Sequence, residues 1–113
     1  AQQLLAEQQA RDAAANAARQ ASLQEEYIAA IAYAVTNNWL RPATAQSGLR
    51  CRIRVIQIPG GEVIDASVIG PCNADSASQR SIVNAVKRVG DLPYRGYESV
   101  FEREITFTFS YDE

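Results

Sequence analysis

The sequence contains no histidine and no methionine. Because imidazole is the usual base and metal ligand at neutral pH, this absence excludes histidine-based catalysis and histidine metal sites. Long apolar runs are absent too, since none approaches the roughly 18 to 20 residues that cross a bilayer. No signal peptide with a basic start and a small-residue cleavage site is present. The chain opens without an initiator methionine and inside a helical pattern, so we expect a piece of a longer protein whose export or anchor signal lies upstream.

Signatures of an enzyme are equally scarce. The serines have no histidine to activate them, and Gly60-Gly61 lacks the following helix and the Lys-Ser/Thr pair of a phosphate-binding loop. Asp65 and Asp75 could pair as acid and base, but nothing in the sequence places them in a cleft. The 113 residues carry a net charge of −2, which suits one small domain without a general attraction for nucleic acid or anionic membranes. We expect a protein that is not an enzyme and has no cofactor or metal.

Two cysteines, Cys51 and Cys72, are the only thiols. A bridge between them would close a loop of about 22 residues and contribute on the order of 3 kcal/mol to stability. One alternative is two free buried thiols, since cysteine is among the most buried residue types. The other is a metal site, for which further soft ligands are missing. A bridge would place the chain in an oxidising compartment.

The first part of the chain has a helical composition. Residues 1–22 are rich in Ala, Gln, Arg and Glu and contain no Gly, Pro or aromatic residue. Since the apolar residues are mostly alanine, we interpret this segment as an exposed helix at the end of a stalk, with a disordered tail as the alternative. Ser22 predicts the N-cap of a second, amphipathic helix over 22–38, which has ended before Pro42. Trp39 is expected to plug the core at the end of that helix, with a ligand-stacking role as the alternative.

Alternating residues then predict a β-hairpin. Apolar and polar residues alternate over 49–58 and again over 62–69, on either side of the turn sequence Pro59-Gly60-Gly61. Gly70-Pro71 is expected to end the second strand. The apolar face of that strand is predicted to carry Ile64, Ala66 and Val68.

A helix and a strand follow the hairpin. Apolar residues return to helical spacing over 74–89, with Asp75 or Ser76 as the cap and Gly90 at the end. A single helical turn is expected near 98–101. Residues 104–111 alternate almost perfectly between apolar and polar, which predicts the last strand.

The order helix, strand, strand, helix, strand predicts an α+β fold. The hairpin pairs antiparallel, and the helical crossover favours a third strand that lies beside the first and parallel with the second, which gives the sheet order 2-1-3. Because each strand has one apolar face, the helices should cover one face only. Arg50, Arg52 and Arg54 would lie on the open face, either as a solvated surface opposite Asp65 and Glu104 or as a docking site for an acidic partner.

The last strand would be an edge of this sheet. Residues 104–111 contain no Lys, Pro or Gly to blunt the edge. The edge could be covered by a loop or by the stalk helix, could pair with a second copy of the chain, or could accept a partner peptide as a fourth strand. The second strand of the hairpin is the other free edge.

Four segments together resemble the C-terminal domain of the TolA family, which is related in fold to the C-terminal domain of TonB. They are "YIAAIAYAVTNNWLRP", "GLRCRIRVIQIPGGEVIDASV", "AVKRVGDLP" and "FEREITFTFSY", in the expected order from about residue 23 to residue 111. The preceding segment resembles the end of the family's long periplasmic helix. The resemblance implies a stalk over 1–22 and a TolA/TonB-like domain over 23–113. One departure is the chain end, where relatives often have Phe-x-Pro and this sequence has Phe109-Ser110-Tyr111.

The resemblance implies a non-enzymatic, periplasmic protein-binding module of the Tol-Pal system, in a protein anchored in the inner membrane. The implied partners are TolB, TolQ and TolR, and also the filamentous phage minor coat protein and colicin translocation domains. The implied roles are outer-membrane integrity and cell division. Alternatives are a TonB-like energy transducer that binds outer-membrane transporters, and a structural self-associating domain. Relatives also carry paired cysteines at the two ends of the hairpin, so the resemblance favours the Cys51–Cys72 bridge.

We predict that an N-terminal segment of TolB adds along the last strand of a monomeric domain. Pockets between this strand and the first helix would read the side chains of the added segment. The predicted partner-binding residues are Arg103, Glu104, Ile105, Thr106, Phe107, Thr108, Phe109, Ser110 and Tyr111 on the strand, and Tyr27, Ile31 and Val35 on the helix.

Overall fold

The computed structural model describes residues 2–113. Their order is helix, strand, strand, helix, short 3-10 turn and strand, which is the predicted order. The helices are α1 (Gln2–Asn37) and α2 (Ser76–Val89), and the 3-10 turn spans Glu98–Val100. The strands are β1 (Leu49–Gln57), β2 (Val63–Cys72) and β3 (Glu104–Tyr111).

The strands form a sheet of order β2-β1-β3, in which β1 pairs antiparallel with both neighbours. β2 and β3 therefore run parallel to each other on opposite sides of β1, as the helical crossover predicts. Along β1, the side chains of Arg50, Arg52 and Arg54 are exposed and those that alternate with them are buried. Helix α1 packs over β3 and α2 packs over β2, both on the buried face. The predicted α+β fold with one covered face is confirmed.

The core lies between the inner face of the sheet and the two helices. Tyr27, Ile31 and Val35 recur every four residues on α1, and each is 0% exposed. Full burial of one apolar side chain of this size contributes roughly 1.5 to 3 kcal/mol, so a few such positions can hold a long helix on the sheet. Other core side chains are Ala45, Leu49, Cys51, Ile53, Val55, Ala66, Ile82, Ala85, Val86, Leu92, Ile105, Phe107 and Phe109.

Helix α1 runs without a break from Gln2 to Asn37, so the predicted helix start at Ser22 is wrong. No Gly or Pro interrupts this stretch, and a helix that has formed extends at little cost per residue, so one serine does not stop it. Every residue over 2–22 is exposed. The exposed helix is thus confirmed for residues 2–22 and the disordered-tail alternative is wrong there, whereas Ala1 lies outside the described residues. The boundary between a stalk over 1–22 and a domain over 23–113 stays a prediction.

A β-bulge near the start of β2 overturns one predicted side-chain direction. Gln57 pairs with Val63, whereas the preceding residue of β1 pairs with Asp65. Ile64 is therefore an extra residue without a partner on β1. The bulge turns its side chain away from the predicted apolar face, and Ile64 is 51% exposed.

Strand β2 also continues past Gly70-Pro71, which the sequence predicts as its end, and reaches Cys72. A second register shift lies here, and after it the strand resumes pairing at Cys72, opposite Cys51. The two cysteines form a disulfide, so the bridge is confirmed and the free-thiol alternative is wrong. The disulfide closes the open end of the hairpin.

Helix α2 begins and ends at residues that suit its termini. Asp75 is the N-cap, and its carboxylate accepts a hydrogen bond from the backbone N–H of Ser78 at 3.0 Å. Hydrogen bonds from Ser78 and Thr44 hold the pKa of Asp75 below its ordinary value. Gly90 follows the last helical residue with a φ of +74°, a conformation that glycine adopts without strain.

Candidate partner-binding edge

Strand β3 lies at one side of the sheet, so only one of its two edges is paired. At its start the N–H of Gln57 on β1 donates to the carbonyl of Arg103 at 2.8 Å. Because backbone groups alternate in direction along an antiparallel strand, every second residue from Arg103 onward faces β1. The residues between them direct their N–H and C=O groups to the outer edge: Glu104, Thr106, Thr108 and Ser110.

The outer edge of β3 has no partner within residues 2–113. No turn, loop, cap or side-chain hydrogen bond in this range involves the backbone of the four outward residues. Thr106 is half-buried and the other three are exposed. The side chains that alternate with them are 1% to 3% exposed and hold the strand on the core: Ile105, Phe107 and Phe109. The edge is therefore both fixed in place and free to pair with an extended peptide.

The opposite edge of the sheet, on β2, is blunted. The N–H of Val63 donates to the carbonyl of Gly90 at 2.9 Å, and Glu62 bridges to Asp91 beside it. Two register shifts interrupt the strand, and Pro71 has no N–H to offer. Natural sheets use these devices against the addition of a strand. Of the two edges, β3 is the one that stays regular and open.

A buried polar cluster fixes the start of β3. The side-chain amide of Gln57 donates to the Tyr27 hydroxyl at 2.6 Å and to the carbonyl of Glu102 at 2.9 Å. The Gln57 and Tyr27 side chains are both 0% exposed. Burial raises the pKa of Tyr27, because the phenolate would lose its hydration, and the hydrogen bond from Gln57 acts in the opposite direction. The cluster ties α1, β1 and the residues before β3 together at one point.

Aromatic packing fixes the end of β3. The ring of Trp39 meets Phe109 edge-on at 4.9 Å between centroids and Tyr111 at 5.3 Å. Its indole N–H donates to the hydroxyl of Ser81 on α2 at 2.8 Å. Arg41 donates to the Tyr111 hydroxyl and lies over the Tyr111 ring, 5.2 Å from its centroid. The predicted role of Trp39 as a plug against the core is confirmed.

The open face of the sheet carries three exposed arginines of β1, which we call the arginine stripe: Arg50, Arg52 and Arg54. Arg54 pairs with Glu104 at 2.7 Å between Nε and Oε1, as predicted. Arg50 pairs with Asp112 at 2.8 Å, and this hydrogen bond lowers the pKa of the Asp112 carboxyl. Asp65, the other predicted acid, forms no ion pair in the part of the chain that the structure describes. Both pairs are exposed, so water and salt screen them.

The structure separates the predicted partner-binding residues into two groups. Four of them offer outward backbone groups, and the strand residues that alternate with them turn their backbone toward β1. Tyr27, Ile31 and Val35 are fully buried, because their spacing puts all three on the face of α1 that covers the sheet. The structure does not show the predicted open pockets at these three residues. They support β3 from beneath, and their effect on partner binding stays a prediction.

Two contributors to this edge were not identified from the sequence. Gln57 occupies an apolar position in the alternation of β1, and a polar residue at such a position requires a buried partner, which was the available signal. Asp112 lies beyond the alternating residues, and its pairing with Arg50 depends on strand register. Only the sheet itself shows that register.

Within residues 2–113, no group of three or more His, Cys, Asp or Glu side chains is placed to hold a metal ion. Neither α1 nor α2 combines the length with the apolar character that a bilayer-crossing helix requires.

Known structures share this architecture. The solution NMR structure of TolAIII bound to a peptide derived from the N-terminus of TolB has a TM-score of 0.64 and 25% identity, over 77% of this chain and 73% of that chain. The NMR structure of the Helicobacter pylori TonB C-terminal domain has a TM-score of 0.59 and 16% identity, over 76% of this chain and 92% of that chain. No curated protein matches the chain. The resemblance that the sequence motifs indicate is confirmed, and the family model for the TonB C terminal matches residues 24–109, so the chain belongs to the TonB C-terminal family.

Proposed function

We propose that this chain is a non-enzymatic protein-binding module of the bacterial cell envelope, which takes up an N-terminal segment of TolB as a fourth strand beside β3. The observation that carries the proposal is the open outer edge of β3, where Glu104, Thr106, Thr108 and Ser110 offer backbone donors and acceptors. The similar TolAIII is solved with a TolB peptide, which supports TolB as the partner.

Strand addition suits the chemistry of this edge. Each outward residue can donate one hydrogen bond and accept one, and each bond contributes a net of roughly 0.5 to 1.5 kcal/mol. The ordering of a flexible peptide offsets much of this gain, so side-chain contacts must supply specificity. Since side chains alternate along an added strand, half of them would approach α1 on the covered face and half would lie on the open face with the arginines.

Proline substitutions at the outer edge test this proposal. Thr106→Pro and Thr108→Pro each remove an outward N–H without removing a donor to β1. We expect each to weaken the binding of a TolB N-terminal peptide roughly tenfold or more, because a peptide carbonyl loses its donor and the ring obstructs the edge. Binding is measured by NMR titration, and circular dichroism verifies that each variant is folded.

The matched controls are Thr106→Ala and Thr108→Ala, which keep the backbone N–H and shorten only the side chain. We expect them to bind within about twofold of the unaltered chain, since isolated surface substitutions change little. A folded proline variant with full affinity would show that the edge is not the site. Amide shifts centred on β2 instead of residues 103–111 would lead to the same conclusion.

Further parts of the proposal concern the complete protein. By its likeness to TolA domains, we assign the module to the periplasm and to the Tol-Pal system, with TolQ and TolR as partners of the anchored protein. Phage coat proteins and colicins as further ligands, and the roles in outer-membrane integrity and division, belong to the same proposal. The Cys51–Cys72 disulfide supports an oxidising compartment such as the periplasm.

A second candidate is a TonB-like module that binds an outer-membrane transporter, and the family match to the TonB C terminal favours it. Competition between a TolB N-terminal peptide and a peptide from the periplasmic side of such a transporter separates the two candidates. Self-association through β3 is the third. Size exclusion with light scattering tests it, since a monomer at high concentration excludes edge-to-edge pairing as the main role.

A further inference from the structure

Arg52 differs from its two neighbours in the arginine stripe. Arg54 pairs with Glu104 and Arg50 pairs with Asp112, whereas Arg52 has no acidic partner in the part of the chain that the structure describes. Arg52 lies between the other two and is exposed on the open face. Arg52 is therefore the one arginine of this stripe whose charge no carboxylate of the described residues offsets, and it remains available to a ligand.

The register of the sheet explains why Arg52 has no partner. On β3 it stands opposite Thr108, and the diagonal neighbours on that strand are Thr106 and Ser110. On the other side, Arg52 has no paired residue on β2, because the irregular stretch 69–71 lies beside it. The residues of that stretch are Ile, Gly and Pro. Neither adjoining strand therefore supplies a carboxylate within reach of this guanidinium.

The path from Arg52 to the free edge crosses only one short side chain. Arg52, Thr108 and Pro71 line an open depression on this face. Neighbouring strands lie 4.7 to 4.9 Å apart, so the Cα atoms of a strand added to β3 would lie about 10 Å from the Cα atom of Arg52. An extended arginine and a carboxylate side chain together span this distance, and Thr108 is too short to separate them.

We propose that Arg52 selects an acidic side chain on the strand that pairs with β3, at the open-face position beside Thr108. The inference rests on the proposed strand addition and deepens it, because it assigns a charge to one position of the partner and thereby fixes the partner's register. At the adjoining open-face positions an added acid would have to compete with Glu104 or Asp112 for an arginine that is already paired. The pair is exposed, so it acts more on specificity and register than on total affinity.

A matched peptide series tests the inference. Glutamate and glutamine are placed in turn at each position of the pairing segment of a TolB N-terminal peptide, and each peptide is titrated into the 113-residue chain by NMR. We expect one open-face position to favour glutamate over glutamine by roughly two- to fivefold, as for exposed ion pairs. The preference should vanish in Arg52→Gln, persist in Arg52→Lys and shrink in high salt.

Arg50→Gln and Arg54→Gln are the matched controls. Each removes an exposed charge of the same stripe, yet we expect both to retain the glutamate preference at the same peptide position. If the β3 amide shifts persist but no glutamate preference depends on Arg52, the inference is overturned and strand addition stands. If no peptide shifts the β3 amides at all, the proposed function fails and this inference fails with it.

Discussion

At the scale of single residues, one buried amide joins three parts of the chain. Gln57 on β1 donates to the Tyr27 hydroxyl of α1 and to the carbonyl of Glu102, directly before β3. A buried donor that loses its acceptor pays its full desolvation cost, whereas an exposed one recovers it from water. The position of the β3 edge therefore depends on the Gln57 amide, the Tyr27 hydroxyl and the Glu102 carbonyl, which do not lie on the outer edge itself.

Removal of the Tyr27 hydroxyl should measure this dependence. Tyr27→Phe deletes one acceptor of Gln57 inside the core, and we expect it to lower the free energy of unfolding by about 1 to 2 kcal/mol in urea denaturation. Tyr33→Phe is the control, because Tyr33 is 70% exposed and should show almost no change. Equal effects of the two substitutions would contradict the structural role of the cluster.

The cap of α2 predicts a dependence on pH. Because the folded-state pKa of Asp75 lies below its ordinary value of 3.8, the carboxylate stabilises the fold above that pH and ceases to do so as the pH falls through the folded-state pKa. Asn caps helices about as well as Asp but does not titrate. We expect the stability advantage of the unaltered chain over Asp75→Asn to be largest near neutral pH.

The measurement for Asp75 is urea unfolding of both proteins from about pH 7 down to about pH 2. The difference between them should shrink across the acid range, as the carboxylate that faces the helix N-terminus becomes neutral. A constant difference at every pH would show that the charge of Asp75 is not what stabilises the cap.

At the scale of elements, the hairpin is a frame for β3. β1 supplies the inner pairing partner of β3, and the disulfide joins β1 to the end of β2 at the point where the ladder is irregular. Cys51 also stands opposite Phe109 of β3. The bridge therefore supports the same strand whose outer edge is open.

Loss of the disulfide should destabilise the domain as a whole. For Cys51→Ala combined with Cys72→Ala we expect the free energy of unfolding to fall by about 3 kcal/mol. Without the disulfide, the unfolded chain regains the conformational entropy that loop closure had removed. Denaturation with and without a reductant measures the effect. Reductant should destabilise the unaltered chain and leave the double variant unchanged, and equal stability of the two oxidised proteins would contradict the prediction.

At the scale of the whole molecule, α1 is one continuous helix that links an exposed segment to the core. The molecule is 67 Å along its longest axis, because the first turns of α1 extend beyond the sheet. Two exposed side-chain hydrogen bonds connect α1 to the segment before β3. The Ser99 hydroxyl donates to Gln20 Oε1 at 3.2 Å, and the Gln24 amide donates to Glu102 Oε1 at 3.4 Å. A continuous helix of this kind joins its exposed first turns directly to the residues that support the open edge of β3.

Truncation tests whether the exposed part of α1 is needed for folding. Deletion of residues 1–18 removes no side chain that the structure shows as buried. We therefore expect the free energy of unfolding to change by less than about 0.5 kcal/mol while helical ellipticity falls. Deletion of residues 1–31 removes Tyr27 and Ile31 from the core and should leave the chain unfolded. A large loss of stability from the shorter deletion would place the domain boundary earlier than residue 22.

The sequence by itself determined the elements and their order. Alternation over 49–58 and 104–111 and helical spacing over 74–89 are local patterns, and each follows from which side chains must face a core. Pairwise topology also followed, because a helical crossover after a hairpin leaves few arrangements. The predicted helix start at Ser22 was wrong. A serine that could cap a helix does not interrupt one when good helix formers surround it.

Only the tertiary structure decided which groups face outward. The bulge at Ile64 and the isolation of Arg52 depend on strand register, which a single strand pattern leaves open by one residue. The full burial of Tyr27, Ile31 and Val35 depends instead on how closely α1 packs on the sheet, which their helical spacing alone leaves open. The identification of β3 as the open edge also requires a comparison with β2. The β2 edge is blunted by a loop and by bulges, and the residues involved are distant in sequence. Periodicity fixes what a residue must bury, whereas the assembled sheet fixes which backbone groups stay unpaired for a partner.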